Sequence, residues 1–136
     1  MQKGIPLMQE VMTVSPRAVA ADAPLSEAAN IMTELGIHHL PVTDAGDVIS
    51  VVSDRDIMRI SIPARPIDAD GLVVRDICQQ RAYAADVNDP LDRVLDVMVD
   101  RRISSVLVMR EGELAGIFTA TDACRLLAAT LRGGSE

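Results

Sequence analysis

The sequence repeats itself, and the repeat limits the folds open to it. Pro24-Leu25 recurs as Pro90-Leu91, and at that shift of 66 residues positions 24–57 lie over 90–123 without a gap. Seven of the 34 aligned positions are identical: the Pro-Leu pair, Met32 over Met98, Ile37 over Ile103, Val42 over Val108, Gly46 over Gly112 and Asp56 over Asp122. A period of this length marks one supersecondary unit used twice. The apolar spacing repeats as well. Leu25, Ala28, Ala29, Met32 and Leu35 fall on one helical face, as do Leu91, Val94, Leu95 and Met98. Strands are expected over Ile37–Val42 and Val48–Ser53, joined by the turn Asp44-Ala45-Gly46-Asp47. In the second copy they fall on Ile103–Val108 and Leu114–Thr119, around Arg110-Glu111-Gly112. Closing helices are expected from Asp54 to about Ile60 and from Ala120 to about Leu131, and a short strand near Val19 and near Tyr83. The unit is β-α-β-β-α and the fold class α+β.

The expected organisation is an N-terminal arm at 1–7, a first repeat at 8–60, a linker at 61–72, a second repeat at 73–131 and a tail at 132–136. The linker, SIPARPIDADGL, carries two prolines, a glycine and little periodicity. Either half alone is too small to bury much surface, so the two are expected to pack sheet to sheet with pseudo-two-fold symmetry.

A net charge of −7 argues against nucleic acid, whose phosphates are held by Lys and Arg, and one Tyr and one Phe make no stacking platform. No apolar run approaches the roughly 18 residues that span a bilayer. The N-terminus lacks the apolar stretch of a secretory signal, and the default address is the cytoplasm. Cys78 and Cys124 have no metal-binding spacing and are expected as reduced thiols. Nucleophile elbow, Walker loop and zinc motif are all missing, so neither an enzyme nor a metal protein is expected.

GIHHLPVTDAGDVISVVSDRDI and RISSVLVMREGELAGIFTATDA both resemble the CBS-domain pattern: helix, strand, glycine-containing hairpin, strand, then Ser/Thr-x-x-Asp opening the last helix. The resemblance covers about residues 8–130. It implies a Bateman module with no catalytic cofactor that binds an adenosyl ligand in clefts between the halves. It further implies a homodimer that regulates an unknown partner, either alone or as the regulatory piece of a larger transporter or dehydrogenase system. A structural or dimerisation module without ligand is the alternative.

The candidate sites follow from the two strand-to-helix junctions, Ser53-Asp54-Arg55-Asp56 and Thr119-Ala120-Thr121-Asp122. A helix N-terminus offers free N–H groups and partial positive charge to a phosphate. By the resemblance, Asp56 and Asp122 hold ribose hydroxyls, with Ser53 and Thr119 beside ribose and phosphate. Arg55 stands where the family often has a basic residue facing phosphate; Thr121 replaces it in the second copy. One of His38 and His39 is expected near phosphate, the other on the opposite strand face. The resemblance completes the Asp56 pocket with Tyr83, Ile103 and Ser104, and the Asp122 pocket with Val19, Ile37 and His38. Ser/Thr-x-x-acid is also a capping box, which needs no ligand. The family's Gly three residues before the Ser/Thr is met by Gly116 but not by Ser50, which puts close ligand approach in the first copy in question.

Overall fold

A computed structural model describes residues 4–14, 17–78 and 82–133. Residues 1–3 of the expected arm and 134–136 of the expected tail lie outside them. The fold is mixed helix and sheet, in two compact units. One is drawn from residues 16–82, the other from 1–15 together with 83–136.

In the first unit, β2 (Val19–Ala20) leads to α2 (Leu25–Leu35), then β3 (His39–Asp44), β4 (Asp47–Ser53), α3 (Asp54–Ile60) and α4 (Val74–Ile77). The sheet order is β2-β3-β4, with β2 parallel and β4 antiparallel to β3. The second unit joins α1 (Met8–Val11) and β1 (Thr13–Val14) to β5 (Ala84–Asp86), α5 (Leu91–Arg101), β6 (Ser105–Arg110), β7 (Glu113–Thr119) and α6 (Ala120–Leu131). Its sheet order is β1-β7-β6-β5. Each hairpin closes on two residues of positive φ, Ala45-Gly46 and Glu111-Gly112, the geometry whose twist matches that of the strands. Both sheets have a register shift at the same place, Val42/Thr43 and Val108/Met109.

The strands β3 and β6 begin two residues later than the periodicity suggests. Both preceding helices end in a left-handed residue, Gly36 (φ 65°) and Arg102 (φ 56°). The next residue then donates back into the helix: Ile37 N–H to Met32 O at 3.0 Å, Ile103 N–H to Met98 O at 3.1 Å. This is a Schellman closure. It assigns Ile37 and Ile103 to the helix ends, although their β-branched side chains read as strand.

Three short elements escaped the sequence reading: α1, β1 and α4. The two helices are equivalent, again 66 residues apart. Met8 N–H bonds Asp89 O and Gln9 N–H bonds Val87 O; Val74 N–H bonds Ala23 O and Arg75 N–H bonds Ala21 O. Met8 and Val74 are each fully buried in the core they join. The segment leading the first repeat thus belongs to the unit of the second, and the segment leading the second belongs to the unit of the first. The expected linker is also tied down. Asp68 accepts from Ser26 N–H and Oγ at the start of α2, and just past the linker Arg75 of α4 reaches Asp22 at 3.3 Å and Asp44 at 3.2 Å.

The cores are apolar, around Leu25, Leu40 and Val52 in one unit and Val94, Val106 and the aromatic Phe118 in the other. No buried side-chain polar atom among the described residues lacks a partner. No described helix is long and apolar enough to cross a membrane.

Candidate functional site

Each candidate site starts where the last strand of a repeat runs into its closing helix. Ser53 and Thr119 have extended backbones (φ −113° and −123°), so each ends its strand and caps its helix at once. Ser53 N–H donates to Asp56 Oδ2 at 2.9 Å, and Asp56 N–H donates to Ser53 Oγ at 3.1 Å. In the second unit Thr119 N–H donates to Asp122 Oδ2 at 2.9 Å and Asp122 N–H to Thr119 Oγ1 at 3.3 Å. The Thr119 hydroxyl adds a 3.0 Å bond to Oδ2. Both junctions are complete capping boxes, and in both the cap occupies Oδ2.

The other oxygen, Oδ1, faces an arginine one turn further on. Arg59 Nη1 lies 3.5 Å from Asp56 Oδ1 and Arg125 Nη1 lies 3.6 Å from Asp122 Oδ1. Sequence reasoning passed over both, since an arginine late in a short helix resembles any solvated residue. A signal existed. Arg59 and Arg125 are themselves 66 apart, two positions beyond the aligned stretch. They also change the electrostatics read from the sequence, in which the second copy lacked a basic residue because Thr121 replaces Arg55. Arg125 supplies that charge from the following turn. Arg55 and Thr121 are both exposed.

The paired histidines separate. His38 precedes β3, is exposed, and places Nδ1 2.8 Å from Asp54 Oδ2. His39 opens β3 opposite Ser53 and is half-buried. Burial pulls its imidazole below the ordinary histidine value, a trend that the nearby Asp54 carboxylate opposes. The backbone of these segments is held alike in both repeats: Asp54 N–H bonds His38 O and Ala120 N–H bonds Ser104 O.

Of the apolar candidates, Val19 is a core residue at 2% exposure. Ile37 and Ile103 pack partly buried against their own cores, as does Tyr83, whose ring lies under the Arg101 guanidinium at 5.0 Å. Ser104 is exposed. Ser53, Asp56, His38, His39 and Ile37 come together within the first unit; Thr119, Asp122 and Ser104 within the second. A cavity of about 370 Å³ opens between α2 and α3, walled by Met32, Ile37, His38, Asp54, Ile57 and Met58. It takes in His38 but neither Ser53 nor Asp56.

Gly116 also meets a need that the sequence did not show. A Cβ there would lie 2.6 Å from Thr13 O and from Met12 Sδ. The chain's own β1, paired Val14 to Gly116, makes that close approach. Ser50 in the first unit is 2% exposed.

A profile of the CBS domain matches residues 8–62 and 74–129. The chain belongs to the CBS domain family, as a pair of such domains. Hypoxic response protein 1 of Mycobacterium tuberculosis is 28% identical over 120 residues, covering 88% of this chain and 83% of that protein. L-aspartate semialdehyde sulfurtransferase of Methanocaldococcus jannaschii is 26% identical over 128 residues, but the chain spans only 24% of its length. Among solved structures, a CBS domain pair in complex with methylthioadenosine and S-adenosylmethionine superposes with a TM-score of 0.82 at 24% identity, covering 93% of this chain and 99% of that one. CBSX2 in complex with AMP gives 0.77 at 19% identity, covering 93% and 98%.

Proposed function

We propose that this CBS pair is a cytosolic regulatory module that binds an adenine nucleotide of the AMP, ADP or ATP class and passes its occupancy to a partner protein. Asp56 and Asp122 take the ribose hydroxyls, Ser53 and Thr119 stand beside ribose and phosphate, and Arg55, His38 and His39 lie on the phosphate side in the first repeat. The observation that carries the reading is the junction itself, built twice. In each copy a carboxylate is oriented by its cap through one oxygen, and its second oxygen faces an exposed arginine. A ribose diol needs an acceptor held in that way. Solved pairs of the same fold with AMP, methylthioadenosine or S-adenosylmethionine supply the ligand class.

Isothermal calorimetry with AMP, before and after the double change Asp56→Ala, Asp122→Ala, tests the assignment. Loss of a hydrogen bond to a charged group costs roughly 1.5–3 kcal/mol, so binding should weaken at least tenfold. Equal affinity would remove both aspartates from the site.

One observation favours the second reading, a dimerisation module without ligand: each junction is a complete capping box that satisfies its own polar groups. A thermal shift separates the two, since a ligand that binds only the folded chain raises its melting temperature. No shift with AMP, ATP, NAD or S-adenosylmethionine supports the second.

A further inference from the structure

We infer that Arg125, and Arg59 at the equivalent place in the first repeat, set the charge that a bound adenosyl ligand can carry, favouring an anionic 5′ group and opposing a cationic one. This rests on the adenosyl reading above and goes further, since it decides among adenosyl ligands.

The argument starts from the two oxygens of Asp122. Oδ2 already accepts from the Thr119 N–H and hydroxyl. A ribose diol donating two bonds must therefore use Oδ1, the oxygen that Arg125 faces at 3.6 Å. That distance is too long for a made hydrogen bond, and the arginine side chain is 77% exposed. Exposed pairs of this kind hold a side chain weakly, so the guanidinium yields Oδ1 to a hydroxyl at little cost. It cannot leave, however, being one helical turn from the carboxylate. A ribose is a single five-membered ring, so its 5′ group stays well within about 10 Å, the Debye length, of that charge. A phosphate there gives the displaced guanidinium a bidentate partner. A sulfonium gives it a like charge, and a neutral thioether gives it neither. The first repeat has the same atoms slightly closer, Arg59 Nη1 donating a long hydrogen bond to Asp56 Oδ1 at 3.5 Å. Its surroundings also hold Asp54, Arg55, His38 and His39. In the second repeat the corresponding positions are Ala120, Thr121, Ser104 and Ser105, so Arg125 is the cleaner case.

The test uses the full chain with Asp56→Asn, which removes the first carboxylate's charge and keeps a capping oxygen. Calorimetry follows AMP, methylthioadenosine and S-adenosylmethionine, with and without Arg125→Ala or Arg125→Lys. Losing one nearby unit charge should weaken AMP about five- to tenfold and tighten S-adenosylmethionine by a similar factor. Methylthioadenosine should move less than about twofold, and the lysine variant should restore the original order. The mirrored set, Asp122→Asn with Arg59→Ala, reads the first repeat. If ligands bind but the AMP to S-adenosylmethionine ratio ignores both arginines, the inference falls and the adenosyl reading stands. If none of the three binds the unaltered chain, both fall together.

Discussion

The carboxylates of Asp56 and Asp122 each close a capping box, and this decides what a substitution there reports. Alanine removes the N3 half of the box as well as the ribose acceptor, whereas asparagine keeps an oxygen for the N-cap amide. Asp122→Ala should lower stability by about 1 kcal/mol, the usual net worth of a hydrogen bond such as that from the Thr119 N–H, and Asp122→Asn by less than half of that. Both should weaken AMP binding. Urea midpoints beside calorimetry distinguish these effects. His39 gives a second expectation at this scale. Its burial favours the neutral imidazole in the folded chain, so the unfolded chain binds the proton more readily. Stability contributed by His39 is then complete above the ordinary histidine pKa near 6.5 and declines as pH falls through and below it. The chain should melt lower at pH 5.5 than at 7.5, and His39→Gln should flatten that difference. A slope unchanged by the substitution would assign it to other groups. The residues of both boxes were legible in the sequence because Ser/Thr-x-x-Asp is a local pattern. The role of Oδ1 was not, since a guanidinium's direction is decided by rotamer and neighbours.

The two helix ends make a natural experiment. Gly36 adopts the left-handed conformation without penalty, while Arg102 does so at φ 56° with a side chain in place. Arg102→Gly should therefore stabilise the chain by about 0.5–1 kcal/mol, and Gly36→Ala should destabilise it by about 1 kcal/mol. A midpoint that falls for Arg102→Gly would mean its side chain contributes more than its backbone costs. Gly116 gives the sharper expectation. A methyl group there meets Thr13 O at 2.6 Å, so Gly116→Ala must push β1 off β7. The cost should be about 1–3 kcal/mol, the usual range for overpacking, with faster amide exchange at Val14. These elements explain what the sequence could carry. α3 and α6 match their expected bounds because cap and apolar face are both local. α1 and α4 span four residues each, too few to be helical unaided, and form because Met8 and Val74 are drawn into cores built elsewhere in the chain.

For the molecule as a whole, α6 is the outlier. None of its 12 residues is buried, and Leu127 and Leu131 are 59% and 77% exposed. Paired leucines left in water on a helix face suggest a second surface. Light scattering at micromolar concentration should give twice the 14.6 kDa chain mass, and Leu127→Glu with Leu131→Glu should return it to the monomer. A monomer before substitution would leave α6 as a solvated helix. The crossed placement of α1 and α4 has a longer consequence. Had the two copies merely been strung together, either could be discarded or borrowed by another gene. Because each lends its opening segment to the other's core, cutting the gene between them should yield two fragments that each lack a keystone. Expressed together they should reassemble, and apart they should not. A duplication built in this way locks its own history in place, since neither copy can be lost without unmaking the other.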